Sequence, residues 1–204
     1  MKLWSRGILL CCLPVALLLL AACAPTDLVL KPTYLPVGDS KGAGGPLVLA
    51  TVLTAPSKAD GAEQLKYVYG EIKDSDGKVI GNVESLTSPA VLVRDALQME
   101  LLKAGYMVQL ATELPKGVPQ GVQLSVASVT MDEVNSLVRM EAQCKVQVTL
   151  DLWKNGALVR KLTYGKNVSD FAVRDREKLH RELLQKALGT VMKDAVADLV
   201  TYLK

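Results

Sequence analysis

Aromatic side chains are nearly missing from this sequence: they make up 4% of its 204 residues, and Phe171 is the single phenylalanine. A chain so poor in rings has little with which to stack nucleobases or cage an aromatic ligand. Neither sign of charge dominates, since 24 Lys and Arg face 21 Asp and Glu. The signs also mix locally, as in Lys66, Glu71, Lys73 and Asp74, and form no basic arm, so nucleic acid is not an expected partner. With His180 as the only histidine and four cysteines, two of them (Cys11 and Cys12) near the start, no zinc set can be drawn and no metal is expected. Gly-x-Ser-x-Gly, phosphate-loop and dinucleotide fingerprints are absent. The longest apolar run, residues 8–20, is broken by Pro14 and falls short of the roughly 20 residues that a bilayer-spanning helix needs.

That run is still the clearest signal in the chain. Lys2 and Arg6 precede it and Leu20-Ala21-Ala22-Cys23 ends it. This is the order of a secretory signal: a positive start, a short apolar stretch, then small residues where a peptidase cuts. Leu-Ala-Ala-Cys resembles the lipobox of bacterial lipoproteins. The resemblance implies cleavage between Ala22 and Cys23, a diacylglyceryl thioether on the Cys23 sulfur, and an acyl chain on the new amino group. Two or three such chains, at about 0.8 kcal/mol per buried methylene, make the attachment effectively permanent. A cut at Cys11 or Cys12 would leave too short an apolar stretch ahead of it, so both belong to the discarded segment. Ala24 stands where Asp would favour the inner membrane, and the same resemblance therefore points to the outer membrane, with the domain facing the periplasm. Cys144 is left without a disulfide partner; in its strand-like surroundings it is expected as a small buried hydrophobe.

Three parts follow: a signal peptide over 1–22, a lipidated tether over 23–45, and a single periplasmic domain over 46–204. Pro25, Pro32 and Pro36, then the Gly-rich stretch 38–45, read as a linker, although the apolar residues at 28–30 and 34–35 have the character to dock locally. Strands are expected at 47–53, 66–73 and 78–83, the last two joined by the Asp74-Ser75-Asp76-Gly77 turn. A helix follows, capped by Thr87 or Ser88, with Pro89 in its first turn and Gly105 at its end. Further strands are expected at 106–114, at 122–126 with an offset near Ala127-Ser128, and at 140–153, where polar and apolar residues alternate. Asn155-Gly156 turns the chain into a returning strand at 158–168. The last element, about 174–202, carries a helical apolar stripe. The order predicts an α+β fold: an antiparallel sheet with two helices packed on one face, its other face wet.

Lipobox, buried strand, Gly70-to-Lys78 hairpin, Val-Arg-Asp-Ala-Leu helix and Leu-Lys-Ala-Gly-Tyr exit together resemble the YajG-like lipoproteins, with Gly70, Asp95, Leu97, Gly105 and Tyr106 as the most telling matches. The resemblance covers most of residues 46–203 and implies an outer-membrane lipoprotein more than a chemistry. Similar layouts occur in auxiliary lipoproteins of ABC-type lipid transport systems and in activators of cell-wall synthases, and a shared fold does not choose among them.

No catalytic constellation stands out. His180 is expected on the solvated side of the last helix, and Asp132-Glu133 and Asp170…Asp175 as turn and helix-start charges. The expected function is non-enzymatic: an interaction or assembly module of the cell envelope, held by its lipid and meeting a protein partner through the wet sheet face or an exposed strand edge. Tyr67 and Tyr69 are candidate contact aromatics. No cofactor is expected beyond the lipid on Cys23. The alternative is an auxiliary lipoprotein of an ABC-type lipid transporter that takes an acyl chain between helices and sheet.

Overall fold

The computed structural model describes residues 27–51 and 66–203; the signal segment, the Ala22–Cys23 junction and Ala24 lie outside the described residues. Strands β1 (Leu28–Leu30), β2 (Gly45–Thr51), β3 (Tyr67–Asp74) and β4 (Val79–Ser85) come first, then helix α1 (Pro89–Lys103). Strands β5 (Tyr106–Ala111), β6 (Gln120–Asn135), β7 (Met140–Lys154) and β8 (Ala157–Ala172) follow, and helix α2 (Arg176–Leu203) closes the chain. All eight strands form one curled sheet, and both helices lie against it and against each other. The class is α+β, as expected.

The sheet itself is mixed rather than antiparallel throughout. Strands β6, β7 and β8 form a long antiparallel meander and β3 pairs antiparallel with β4, but β1–β4, β2–β5, β2–β6 and β3–β6 are parallel. Alternation along a strand reports which face is buried, not which strand lies alongside. Parallel pairs were therefore not visible in it. Strand β6 links the two halves: Gly121–Leu124 pair with β2, and Glu133–Asn135 pair with β3. It is much longer than the expected 122–126, and its irregularity falls between Leu124 and Val126.

The helix punctuation works as expected. Ser88, not Thr87, is the N-cap of α1, its Oγ accepting from Val91 N at 3.2 Å. Ser88→Ala is expected to lower stability by about 1 kcal/mol, read as a shifted urea midpoint. Asp175 begins α2 with a left-handed φ of 62° and accepts from Lys178 N at 3.0 Å. Asn155 and Gly156 both have positive φ, the backbone that a two-residue hairpin turn requires. The core is the layer between helices and sheet, where Leu97, Leu101, Leu188, Met192 and Leu199 meet Leu47, Leu49, Met131, Leu150 and Leu152. Each such side chain contributes about 1.5–3 kcal/mol of transfer free energy. Cys144 is buried among them, and burial pushes its thiol up to about 12.

The stretch expected as a tether, 23–45, is described from Asp27 onward, and from there it lies on the domain as a strap. Leu28–Leu30 add a strand beside β4, with Asp27 accepting from Asn82 N at 2.8 Å. The chain then crosses both helices. The buried carboxylate of Glu100 on α1 accepts from Tyr34 Oη (2.6 Å), Val37 N (2.6 Å) and Gly38 N (3.0 Å). Gln185 on α2 exchanges two bonds with the backbone of Leu35, at 3.0 and 2.8 Å. Proline and glycine here shape a close crossing rather than a loose linker, because Glu100 and Gln185 supply partners for the strap's own polar groups.

Candidate functional site

The β6–β7 hairpin ends in Asn135-Ser136-Leu137-Val138-Arg139-Met140. Its turn is closed by polar bonds: Ser136 N donates to Arg139 O at 2.9 Å, and the Ser136 hydroxyl to the same oxygen at 2.8 Å. With the turn satisfied in this way, Leu137 and Val138 project outward, 105% and 74% exposed. Register places Val134, Glu141 and Phe171 side by side on three adjacent strands. Phe171 is 58% exposed, and Val134 and Val173 also stand open. The Arg139 guanidinium lies 5.5 Å from the Phe171 ring centroid and pairs with Glu141. Single exposed apolar residues are ordinary, but five at one end of a sheet, including the only phenylalanine, make this tip a candidate contact surface.

A second open feature adjoins it. Among the described residues β8 pairs only with β7, so one edge of its 16 residues presents unpaired backbone groups. Lys161 and Lys166 are exposed along it, the kind of charge that keeps an edge from pairing indiscriminately. The inner side of β8 is held by α2, with Tyr164 Oη donating to Asp198 at 2.7 Å and Arg160 stacked on Tyr202 at 4.7 Å.

Behind this end of the sheet, an ionic cluster is built around two fully buried side chains of the described fold. Glu133 on β6 and His180 on α2 both have completely buried side chains. Glu133 Oε1 is 3.0 Å from Arg176 Nη2, and Oε2 is 3.5 Å from His180 Nε2. The His180 ring is anchored through Nδ1, 3.0 Å from the Arg176 carbonyl, which fixes the proton on Nδ1 when the ring is neutral. Burial raises the Glu133 pKa, and Arg176 pulls it part of the way back; burial lowers that of His180. His180 is therefore a core residue and not a solvated one, and Glu133 is a buried partner and not a turn charge. Glu133, Arg176 and His180 line none of four surface clefts among the described residues, and their side chains face one another with the geometry of an ion pair.

The other residues singled out from the sequence separate. Tyr69 is 2% exposed, its hydroxyl donating to Thr87 O at 2.9 Å, so it serves the core and has no surface to offer a partner. Tyr67 is half-buried against the same core. Cys23 lies outside the described residues. Leu137, Val138 and Phe171 were missed, although an apolar pair between two strongly alternating strands is a visible signal. Among the described residues no group of His, Cys, Asp and Glu is arranged to hold a metal, and no helix is long and apolar enough to cross a membrane.

No protein-family model matches the chain, and no curated protein matches it. Several solved structures are similar. A Xanthomonas campestris protein of the DUF330 family shares 13% identity, with 86% of this chain and 95% of that one covered and a TM-score of 0.48. A minor lipoprotein from Acinetobacter baumannii shares 13% identity over 78% and 89% of the two chains, with a TM-score of 0.35. The rare lipoprotein B of Shewanella oneidensis shares 15% over 65% and 90%, with a TM-score of 0.30. Likeness at this level assigns neither a family nor an activity.

Proposed function

We propose that this chain is a bacterial cell-envelope lipoprotein of the YajG-like kind. It is cut before Cys23 and held by lipid to the outer membrane, facing the periplasm, and acts without chemistry of its own as a docking module for another envelope protein. The observation that carries the docking role is the free edge of β8, long enough to receive an extended segment of a partner by strand addition. Lys161 and Lys166 favour a segment carrying acidic residues. The lipid-transport auxiliary reading ranks second, because Leu97, Met131, Leu188 and Met192 already fill the layer where an acyl chain would lie.

Two measurements test the proposal. Intact mass of the protein from its host membranes is expected to match residues 23–204 plus acyl groups, and Cys23→Ala is expected to abolish both the acyl mass and membrane retention. An unacylated or uncleaved wild-type mass overturns the anchor. Photo-crosslinking residues placed singly along β8 are expected to capture one partner with a two-residue periodicity, the signature of a paired strand. Capture without periodicity, or none, overturns strand addition.

A further inference from the structure

The chain that leads back to Cys23 leaves the described domain on the side of the sheet that carries the exposed hairpin tip. Strand β1 runs parallel to β4, so the chain upstream of Leu28 heads toward the start of β4. Asp27 is fixed beside Asn82, Asn82 pairs with Glu71, and Glu71 N donates to the Asp132 carboxylate at 3.1 Å. Asp27 is thus level with Asp132, seen across the sheet. From that level β6 continues to Asn135 and its turn, about 10 Å farther at 3.3 Å per residue before the turn itself. Upstream, three residues lie between Cys23 and Asp27, and the four steps span at most about 14 Å. Sideways, β1 and β6 are three strand spacings apart, about 15 Å along the sheet. Because the strap is clamped by Glu100 and Gln185 as far as Gly42, whose N donates to Ala104 O at 2.8 Å, no longer leash is available while it stays docked.

We infer that the β6–β7 hairpin tip is a membrane-contact site: Leu137 and Val138, with Phe171 and Val173 behind them, sit in the interface of the bilayer leaflet that holds the acylated Cys23. The inference rests on the reading of Cys23 as the lipidated residue. A domain held by at most 14 Å of chain stands against the headgroups, and the end it presents is the one where apolar side chains project without cover. Charge at this end is mixed, Arg139 and Arg174 standing near Asp76 and Asp170, so burial of the apolar tip rather than attraction to anionic lipid drives the contact. The β8 edge then runs away from the membrane toward the Asn155-Gly156 turn, which leaves it accessible to a periplasmic partner. A strap-held domain with two attachments has a fixed orientation, whereas a free tether would let it tumble.

The test uses the full-length acylated protein in vesicles of phosphatidylethanolamine and phosphatidylglycerol. A nitroxide label is placed at Val138→Cys or, at the opposite end of the sheet, at Asn155→Cys; intact mass confirms acylation of each. The expected result is a label at 138 that is several-fold more accessible to dissolved oxygen and shielded from a water-soluble relaxing agent, with the reverse at 155. Adding Leu137→Asp is expected to return the 138 label to water while acylation and vesicle flotation persist. Acylated protein whose 138 label is as water-exposed as 155, or is shielded from both agents as in a protein–protein contact, overturns the inference. A missing acyl mass instead overturns the anchor reading, so the two failures are distinguishable.

Discussion

Glu133→Ala is expected to lower the unfolding free energy by about 3 kcal/mol, the low end of the 3–5 kcal/mol range for removing one partner of a buried ion pair. The low end applies because the Arg176 side chain keeps 19% of its surface in solvent and can shed part of its charge penalty there. The loss comes from removing the carboxylate that faces both Arg176 and the inward edge of His180. Its chemical origin is visible in pH dependence. The folded-state pKa of Glu133 is raised above its ordinary 4.5, so the folded state keeps a proton that the unfolded chain has lost. Stability from this group is fullest below 4.5 and is lost as pH rises through the raised value. His180 runs the other way: its pKa is lowered from 6.5, so its contribution is fullest above 6.5 and is lost as pH falls through the lowered value. Wild-type stability between these limits is the sum of two opposed slopes. In urea titrations from pH 4.5 to 7, Glu133→Gln is therefore expected to gain stability with pH more steeply than wild type, and His180→Gln less steeply. Three parallel curves would show that the pair does not titrate with folding.

That cluster also shows what the sequence does and does not disclose. The spacing His180, Leu184, Ala187, Val191 is a helical stripe, and all four side chains are buried. A histidine flanked by Lys178, Arg181 and Glu182 nonetheless reads as solvated, because its partner Glu133 lies on a strand far away in sequence. The same distance hides the strap. Pro32, Pro36 and the glycines from 38 to 45 have linker composition, and partners far along the chain, Glu100 and Gln185, turn them into a docked crossing. Local patterns fared better: the alternation of 140–153, the Asn155-Gly156 turn and the Ser88-Pro89 helix start depend on neighbours within a few residues. The exposed apolar tip falls between these cases. Tyr67 and Tyr69 are the aromatics of β3, but Tyr69 is buried in the core beside the register shift between Val68 and Gly70, and exposure falls to Leu137, Val138 and Phe171.

Gly70→Ala is expected to cost about 3 kcal/mol or more, at the upper end of what overpacking produces. A Cβ at position 70 would stand 2.0 Å from Met131 O and 2.5 Å from Met131 C, both backbone atoms of β6 that no rotamer change can move aside. The glycine allows β3 to slide in against β6 just before the two strands begin to pair, at Ile72 with Glu133. Its register with β4 is irregular here as well, the shift falling between Val68 and Gly70. Spreading β3 from β6 would withdraw the Asp132 carboxylate from Glu71 N and loosen the pairing that aims Glu133 at Arg176 and His180. The damage therefore reaches beyond the clash itself and is not additive with Glu133→Ala. Gly77→Ala makes a suitable comparison: its φ of +81° is strained for alanine, at about 1–2 kcal/mol, but nothing lies within 4 Å of the added carbon. Urea unfolding of the two variants is expected to place Gly70→Ala well below Gly77→Ala, with the β3–β6 amides exchanging first. Equal midpoints would mean that β3 can shift outward without breaking its ladder, and that Gly70 serves only local backbone freedom.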